Sequence, residues 1–252
     1  MNNYFKRSPQ LIVIAGPNGS GKSTVFPAIQ NVEREDWSLE PVRIKNENFV
    51  NPDNIASKNS LSKLAAGRKT ISRIKKFIEL GENFAIETTL SGKTMEKYFQ
   101  LAKQKGYKIY IIFLSLRSSE LSMNRVSQRA LLGEHYIPMK QILKRYDRSL
   151  DNFFNIYKKY ADPFWVIADN STMEINVLYW GLFGDEDIYS STKEKNYITK
   201  YINLNKLRMD DSYSPLVFNK IKQKIEIAIK NRPDGNYVSI QEEDEEIIFL
   251  KP

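Results

Sequence analysis

Between positions 16 and 24 the chain reads Gly16-Pro17-Asn18-Gly19-Ser20-Gly21-Lys22-Ser23-Thr24, and the first eight residues fit the pattern G-x-x-x-x-G-K-[ST] in full. Glycines at these positions let successive backbone N–H groups converge on phosphate oxygens. The Lys22 ammonium reaches the outer phosphates of a triphosphate, and the Ser23 hydroxyl is the type of group that ligates Mg²⁺. A helix beginning at Lys22 adds the positive potential of its N-terminus. The expected cofactors are therefore ATP and Mg²⁺, held through Gly16 to Thr24. The competing reading is a glycine-rich turn that binds nothing.

A phosphate loop identifies the fuel and not the work. Leu90-Ser91-Gly92 resembles an ABC-type ATPase signature, but the strand-like run that follows ends Phe113-Leu114-Ser115, with no Asp-Glu pair to hold metal and water. No Asn-Lys-x-Asp guanine-reading motif is present. The kinase branch remains, in which a carboxylate activates the acceptor and arginines clamp the moving charge. Asp53, after Asn51-Pro52, and Glu87, before Thr88-Thr89, are the candidate carboxylates. One can accept the acceptor hydroxyl's proton while the other orients the acceptor or, through water, Mg²⁺. The alternatives are a turn or helix cap for Asp53 and a salt-bridged strand end for Glu87.

Arg125, Arg129, Arg145 and Arg148 bracket Gly133-Glu134-His135-Tyr136-Ile137-Pro138, a pattern that resembles a lid delivering guanidinium groups to phosphate. Arg125 and Arg129 lie one helical turn apart. Each arginine also reads as an ordinary surface cation. His135, the only histidine, suits phosphate or acceptor contact as well as it suits packing or capping.

Elements at the right places are needed to bring these groups together. Leu11–Ala15 is a short apolar run rich in β-branched residues, as expected of a strand buried on both faces, with a helix following from Lys22. Further strands are expected at Asn46–Val50, Asn83–Glu87, Lys108–Leu114 and Phe164–Ala168. Helices are expected at Leu61–Leu80, with Gly81 as its cap, at Lys93–Lys105, at Ser118–Leu131 and at Met139–Tyr160. Strands alternating with helices specify an α/β fold with a mainly parallel sheet covered on both faces in three layers. Gly16, Asp53 and Glu87 each follow or end a strand, so all three should emerge at the sheet's carboxyl edge, where ligands bind in open α/β folds. Ala168-Asp169-Asn170-Ser171 reads either as a border of the adenine site or as a strand-ending turn.

Residues 1–171 are expected to form the core, with the lid segment at about 118–150, and residues 172–252 a C-terminal extension packed on the same domain. Within the extension, Ile175–Trp180 and Asp187–Ser190 read as short strands and Pro215–Lys230 as an amphipathic helix. Tyr237–Ile240 with Ile247–Leu250 reads as a hairpin, and the acidic run Glu242–Glu246 as a solvated turn.

Composition bounds the rest. With 252 residues, 41% of them hydrophobic, the chain can bury a full core. Thirty-eight Lys and Arg against 30 Asp and Glu give a net charge of +8, which favours anionic partners without choosing among them. The absence of cysteine excludes disulfides and thiolate chemistry and makes the cytoplasm the default compartment. Lys6 and Arg7 before Leu11–Ala15 superficially resemble a secretory leader, but the apolar run is too short. Ile109–Leu114, the longest apolar stretch, cannot cross a bilayer, so a soluble protein is expected.

The sequence resembles the zeta-toxin family of P-loop kinases, particularly its compact branch. The resemblance is carried by Gly16 to Thr24, Asn51-Pro52-Asp53, Glu87-Thr88-Thr89-Leu90-Ser91-Gly92, Arg125-Val126 through Arg129, Gly133, His135, Ile137-Pro138, Arg145-Tyr146 and Arg148-Ser149-Leu150. It spans Leu11 to about Asn170. Glu134 departs from the glycine usual before the histidine, and nothing beyond Ser171 matches. The resemblance implies a kinase that phosphorylates the sugar 3′-hydroxyl of UDP-N-acetylglucosamine and is neutralised by an antitoxin protein. It further implies Asp53 as base, Glu87 and Thr89 as acceptor-binding residues, and lid arginines on the phosphates. Two other functions stay open: a polynucleotide 5′-kinase, from the +8 charge and the Lys, Arg and Tyr scattered over Tyr197 to Arg232, and a non-catalytic ATP-binding interaction module.

Overall fold

Strand β1 (Gln10–Ala15) is buried along its whole length, because parallel neighbours flank it and helices cover both of its faces. The computed structural model describes residues 8–30, 44–58, 62–133, 137–172, 175–182, 184, 188–190, 196–201 and 207–209. On one side β1 pairs in parallel with β3 (Phe84–Thr88), which in turn pairs with the short β2 (Phe49–Val50). On the other side it pairs in parallel with β4 (Lys108–Ser115), followed by β5 (Phe164–Asp169). Beyond β5 the sheet continues through antiparallel β6 (Asn176–Leu182) and β7 (Ile188–Ser190), with β8 (Leu207–Met209) parallel to β7. The strand order among the described residues is β2-β3-β1-β4-β5-β6-β7-β8. This is the α/β fold with a mainly parallel sheet that the alternating elements specify.

Period-two alternation divides the core between the two faces. Leu11, Val13 and Ala15 point into a cluster with Ile74, Phe77 and Phe99, which the helices α3 (Lys63–Leu80) and α4 (Glu96–Gln104) supply. Ile12 and Ile14 point the other way, toward Val25 and Phe26 of α1 (Lys22–Gln30). Local signals set the helix ends. Ser62 Oγ accepts from Ala65 N at the start of α3, and Gly81, with φ at +65°, closes the other end in the left-handed conformation that favours glycine. Ser118 caps α5 (Ser119–Leu131) in the same way, through Leu121 N.

Two expectations change. The helix expected over Met139–Tyr160 is α-helical only to Asn152 (α6, Met139–Asn152), and Phe153–Tyr157 then forms a wider π-type turn. That turn brings Phe153 and Tyr157 together into the core, where Phe153 meets Phe113 and Trp165 while Tyr157 meets Phe99. The strand expected over Asn46–Val50 is reduced to its last two residues, because Asn46–Asn48 form a single 3₁₀ turn. The helix expected at Pro215–Lys230, the hairpin after it and the acidic run lie outside the described residues. No described helix is long and apolar enough to cross a membrane.

Phe99 is fully buried, edge-on to Tyr157 and Tyr160. Phe99→Ala should therefore destabilise the fold by about 3–5 kcal/mol in urea denaturation; a loss below about 1 kcal/mol would mean that this helix layer is not packed as described.

Candidate active site

The phosphate loop is shaped by what packs beneath it. Gly16, at φ +138°, leaves β1 so close to β4 that a Cβ there would stand 2.0 Å from Leu114 O. Gly19 and Gly21 also have positive φ; a Cβ on Gly21 would meet Asn170 Nδ2 at 2.5 Å. Asn170, buried after β5, donates from that Nδ2 to Ser20 O at 3.0 Å, and Ser122 Oγ of α5 donates to Asn18 O at 2.6 Å. The loop is thus bonded both to the end of β5 and to α5. Lys22, buried at the start of α1, turns its Nζ back to Pro17 O at 2.6 Å. Burial pulls its pKa below the ordinary lysine value, while Glu87 and Asp53 oppose that pull.

Register brings the carboxylates to this loop. Glu87 lies opposite Ile14 in the β1–β3 ladder, two residues before Gly16. Val50 lies opposite Ile86, so the chain leaving β2 passes beside Glu87 and enters α2 (Pro52–Lys58), with Asp53 in its first turn. One cleft of about 540 Å³ is lined by Lys22, Ser23, Asp53, Glu87, Thr89 and Arg129, together with Asn18, Gly19, Gly21 and Arg145. That volume lies within the range of small-molecule sites, roughly 300–1,000 Å³. Glu87 is half-buried, and burial raises its carboxyl pKa, with Asp53 acting in the same sense and Lys22 opposing. Ser23 Oγ donates to Glu87 Oε1 at 3.4 Å. Arg129 and Arg145 enter the same electrostatic balance, each disfavouring a charged Lys22.

Not every expected residue faces the cleft. Arg125, expected on phosphate, instead donates to Asn170 O at 2.7 Å, Ser171 O at 3.1 Å and Gly19 O at 3.5 Å. Its guanidinium clamps the phosphate loop to the end of β5, because the Gly19 turn brings α5 within 3.2 Å, measured from a Cβ placed on Gly19 to Arg125 Cβ. Arg148 is exposed and does not line the cleft. The reason is helical phase, since α6 turns Ile142, Ser149 and Leu150 inward and Arg145 sideways. His135, with Glu134, lies outside the described residues. Asp169 forms the strand-ending turn, accepting from Ser171 N at 3.0 Å. Tyr197 and Tyr201, part of the stretch read as a nucleic-acid surface, are engaged in packing: Tyr197 OH bonds Ser115 Oγ at 2.7 Å, and Tyr201 stacks on Phe154 at 5.1 Å.

Three functional contacts escaped the sequence reading. Asn51 is buried and bonded both to α2 and to Glu87. Ser149 donates to Thr89 O, and Asn152 donates to Leu90 O at 2.8 Å, which ties α6 to the loop after β3. These bonds hold Leu90 at φ +52°, a left-handed conformation that is costly for a branched residue. In the same loop the Thr89 and Ser91 hydroxyls bond each other at 2.8 Å. Asn51 and Asn170 carried one usable signal, in that each follows a strand and precedes a group at the carboxyl edge. Ser149 entered only through the family resemblance and Asn152 not at all, because their partners are backbone carbonyls 60 residues or more away.

A phosphate loop on the first strand of a mainly parallel sheet, with carboxylates and arginines at its mouth, defines a P-loop phosphotransferase. The zeta toxin family model matches residues 2–179, and the chain belongs to that family. An uncharacterized protein of Haemophilus influenzae is 27% identical over 135 residues, covering 54% of this chain and 91% of its own. Among solved structures, the native AvrRxo1-ORF1:ORF2 complex shares the fold at a TM-score of 0.57 and 15% identity, covering 88% of this chain and 75% of that one. A structure of the PezAT chromosomal toxin–antitoxin system of Streptococcus pneumoniae aligns at a TM-score of 0.49 and 17% identity, over 89% of this chain and 87% of that one.

Because Gly16 has both a glycine-only conformation and a carbonyl in its Cβ position, Gly16→Ala should cost at least about 1–3 kcal/mol and remove saturable binding of a fluorescent ATP analogue. Binding at wild-type affinity would show that the loop is not constrained as described.

Proposed function

We propose that this chain transfers the γ-phosphoryl group of ATP to a hydroxyl of a small acceptor, with a UDP-N-acetylsugar as the preferred acceptor, and that Asp53 is the general base. The observation that carries the reading is the meeting of Lys22, Asp53, Glu87, Arg129 and Arg145 in one cleft at the phosphate loop. Family membership supports the nucleotide-sugar acceptor, and the AvrRxo1 pair, whose fold this chain shares, is known in a structure with ATP.

In this reading the loop amides and Lys22 hold the triphosphate while Arg129 and Arg145 neutralise charge on the transferring group. Asp53 takes the proton as the acceptor's O–H bond breaks. That oxygen bonds to the γ-phosphorus, the bond from phosphorus to the β-bridging oxygen breaks, and ADP leaves with the bonding electrons. Glu87 and Thr89 would orient the acceptor. The donor set suits Mg²⁺, which needs only one or two protein oxygens because phosphates and water complete its shell; Ser23 Oγ would hold it, with Glu87 alongside, and the ion would shield the β- and γ-oxygens. Arg125 serves this chemistry by fixing the loop and not by touching phosphate. The proposed partner protein is an antitoxin, as in the PezAT system, and the proposed compartment is the cytoplasm.

Incubation with Mg-ATP and UDP-N-acetylglucosamine should yield a phosphorylated sugar nucleotide by mass spectrometry. Asp53→Asn should lower kcat by about 10²–10⁴-fold with ATP affinity unchanged, whereas Lys22→Ala should lose ATP affinity as well. Wild-type turnover in Asp53→Asn would remove the base assignment, and product from a different acceptor alone would remove the nucleotide sugar.

A further inference from the structure

We infer that Asn51 is the positioning residue of the site, one side-chain amide that sets both carboxylates at once; the inference rests on the phosphoryl-transfer reading above. Asn51 leaves β2 immediately before Pro52, the first residue of α2. Proline carries no N–H, so the first helix donors in need of an acceptor are those of Asp53 and Asn54. Asn51 Oδ1 takes both, at 2.9 and 3.1 Å. With its oxygen committed to the helix, the planar amide directs Nδ2 the opposite way, where it donates to Glu87 Oε2 at 2.6 Å.

Strand register makes this link possible, because the pair Val50 and Ile86 places the next residues, Asn51 and Glu87, side by side. The second Glu87 oxygen stays toward Ser23 Oγ. Asp53 is therefore placed through its own backbone N–H and Glu87 through its carboxylate, by two ends of one rigid group that is itself 5% exposed.

Capping alone does not account for this choice of residue. Asn, Asp and Ser cap helices about equally well, but only asparagine joins a capping oxygen to a donor on the same plane. In Asn51→Ser the cap is kept and the amide donor to Glu87 is removed; in Asn51→Asp the cap is kept and a carboxylate is turned on Glu87. If Asn51 positions the site, Asn51→Ser should lower kcat about 10- to 100-fold, and Asn51→Asp should lower it further, with the KM for ATP within about threefold of wild type. Melting temperature gives a readout that needs no turnover. Asn51→Ser should melt within about 2 °C of wild type, Asn51→Asp clearly below it, and the gap between the two should close in a Glu87→Ala background.

Wild-type kcat in both variants, or a melting gap that persists without Glu87, would overturn the inference. No phosphorylated product from the wild-type chain with any acceptor would instead sink the phosphoryl-transfer reading, and the melting gap would still decide whether the amide holds Glu87.

Discussion

An ammonium group nearly cut off from water has to be matched by negative charge, and Lys22 is such a group. Burial disfavours its charged form, Arg129 and Arg145 disfavour it further, and Glu87 and Asp53 oppose them. A triphosphate held by the loop amides would add several negative charges where the ammonium sits and so restore the balance. Lys22 Nζ bonds to Pro17 O within its own loop. The site is therefore built around a cation that gains from an anionic ligand, and the surrounding structure serves to keep that cation dry and fixed.

That fixing is a property of the sheet. Leu114 O of β4 lies so close to Gly16 that only glycine can make this turn, and the Asn170 and Ser122 bonds tie the loop to the end of β5 and to α5. The carboxylates arrive by register, Glu87 from β3 and Asp53 from the first turn of α2. Parallel pairing sends all these chain ends to one edge, so that residues 30 to 70 positions apart share a cleft. The cost is borne locally, as in the left-handed Leu90 held by Asn152 and the core-filling turn after α6.

How much of this is legible in the sequence depends on the range of the interaction concerned. The phosphate loop, the cap at Gly81 and the alternation of strands and helices are local, so residue types and spacing are enough to specify them. The convergence of Asp53 and Glu87 followed from one general rule about parallel sheets. Arg125 is a different case. Spacing paired it with Arg129 on one helix face, but its direction is decided by carbonyls at Gly19, Asn170 and Ser171, and no pattern in α5 encodes them. The π-type turn was hidden for the same reason, since it answers to the aromatic rings of Phe99, Phe113 and Trp165 on other elements. Likewise, Asn51 stands in the sequence only as the residue before Pro52, and the β2–β3 register shows what its amide can reach.

In this site the Asp53 carboxyl faces the outer phosphate of a triphosphate gripped by the loop ahead of α1, as proposed above. A crystal structure of the chain with Mg²⁺, a non-hydrolysable ATP analogue and an acceptor tests it most directly. The γ-phosphate should lie against Lys22 Nζ, with the Asp53 carboxylate about 2.6–3.2 Å from the acceptor hydroxyl. A nucleotide bound away from Gly16 to Thr24, or an Asp53 carboxylate turned from the γ-phosphate with the acceptor in place, would contradict it.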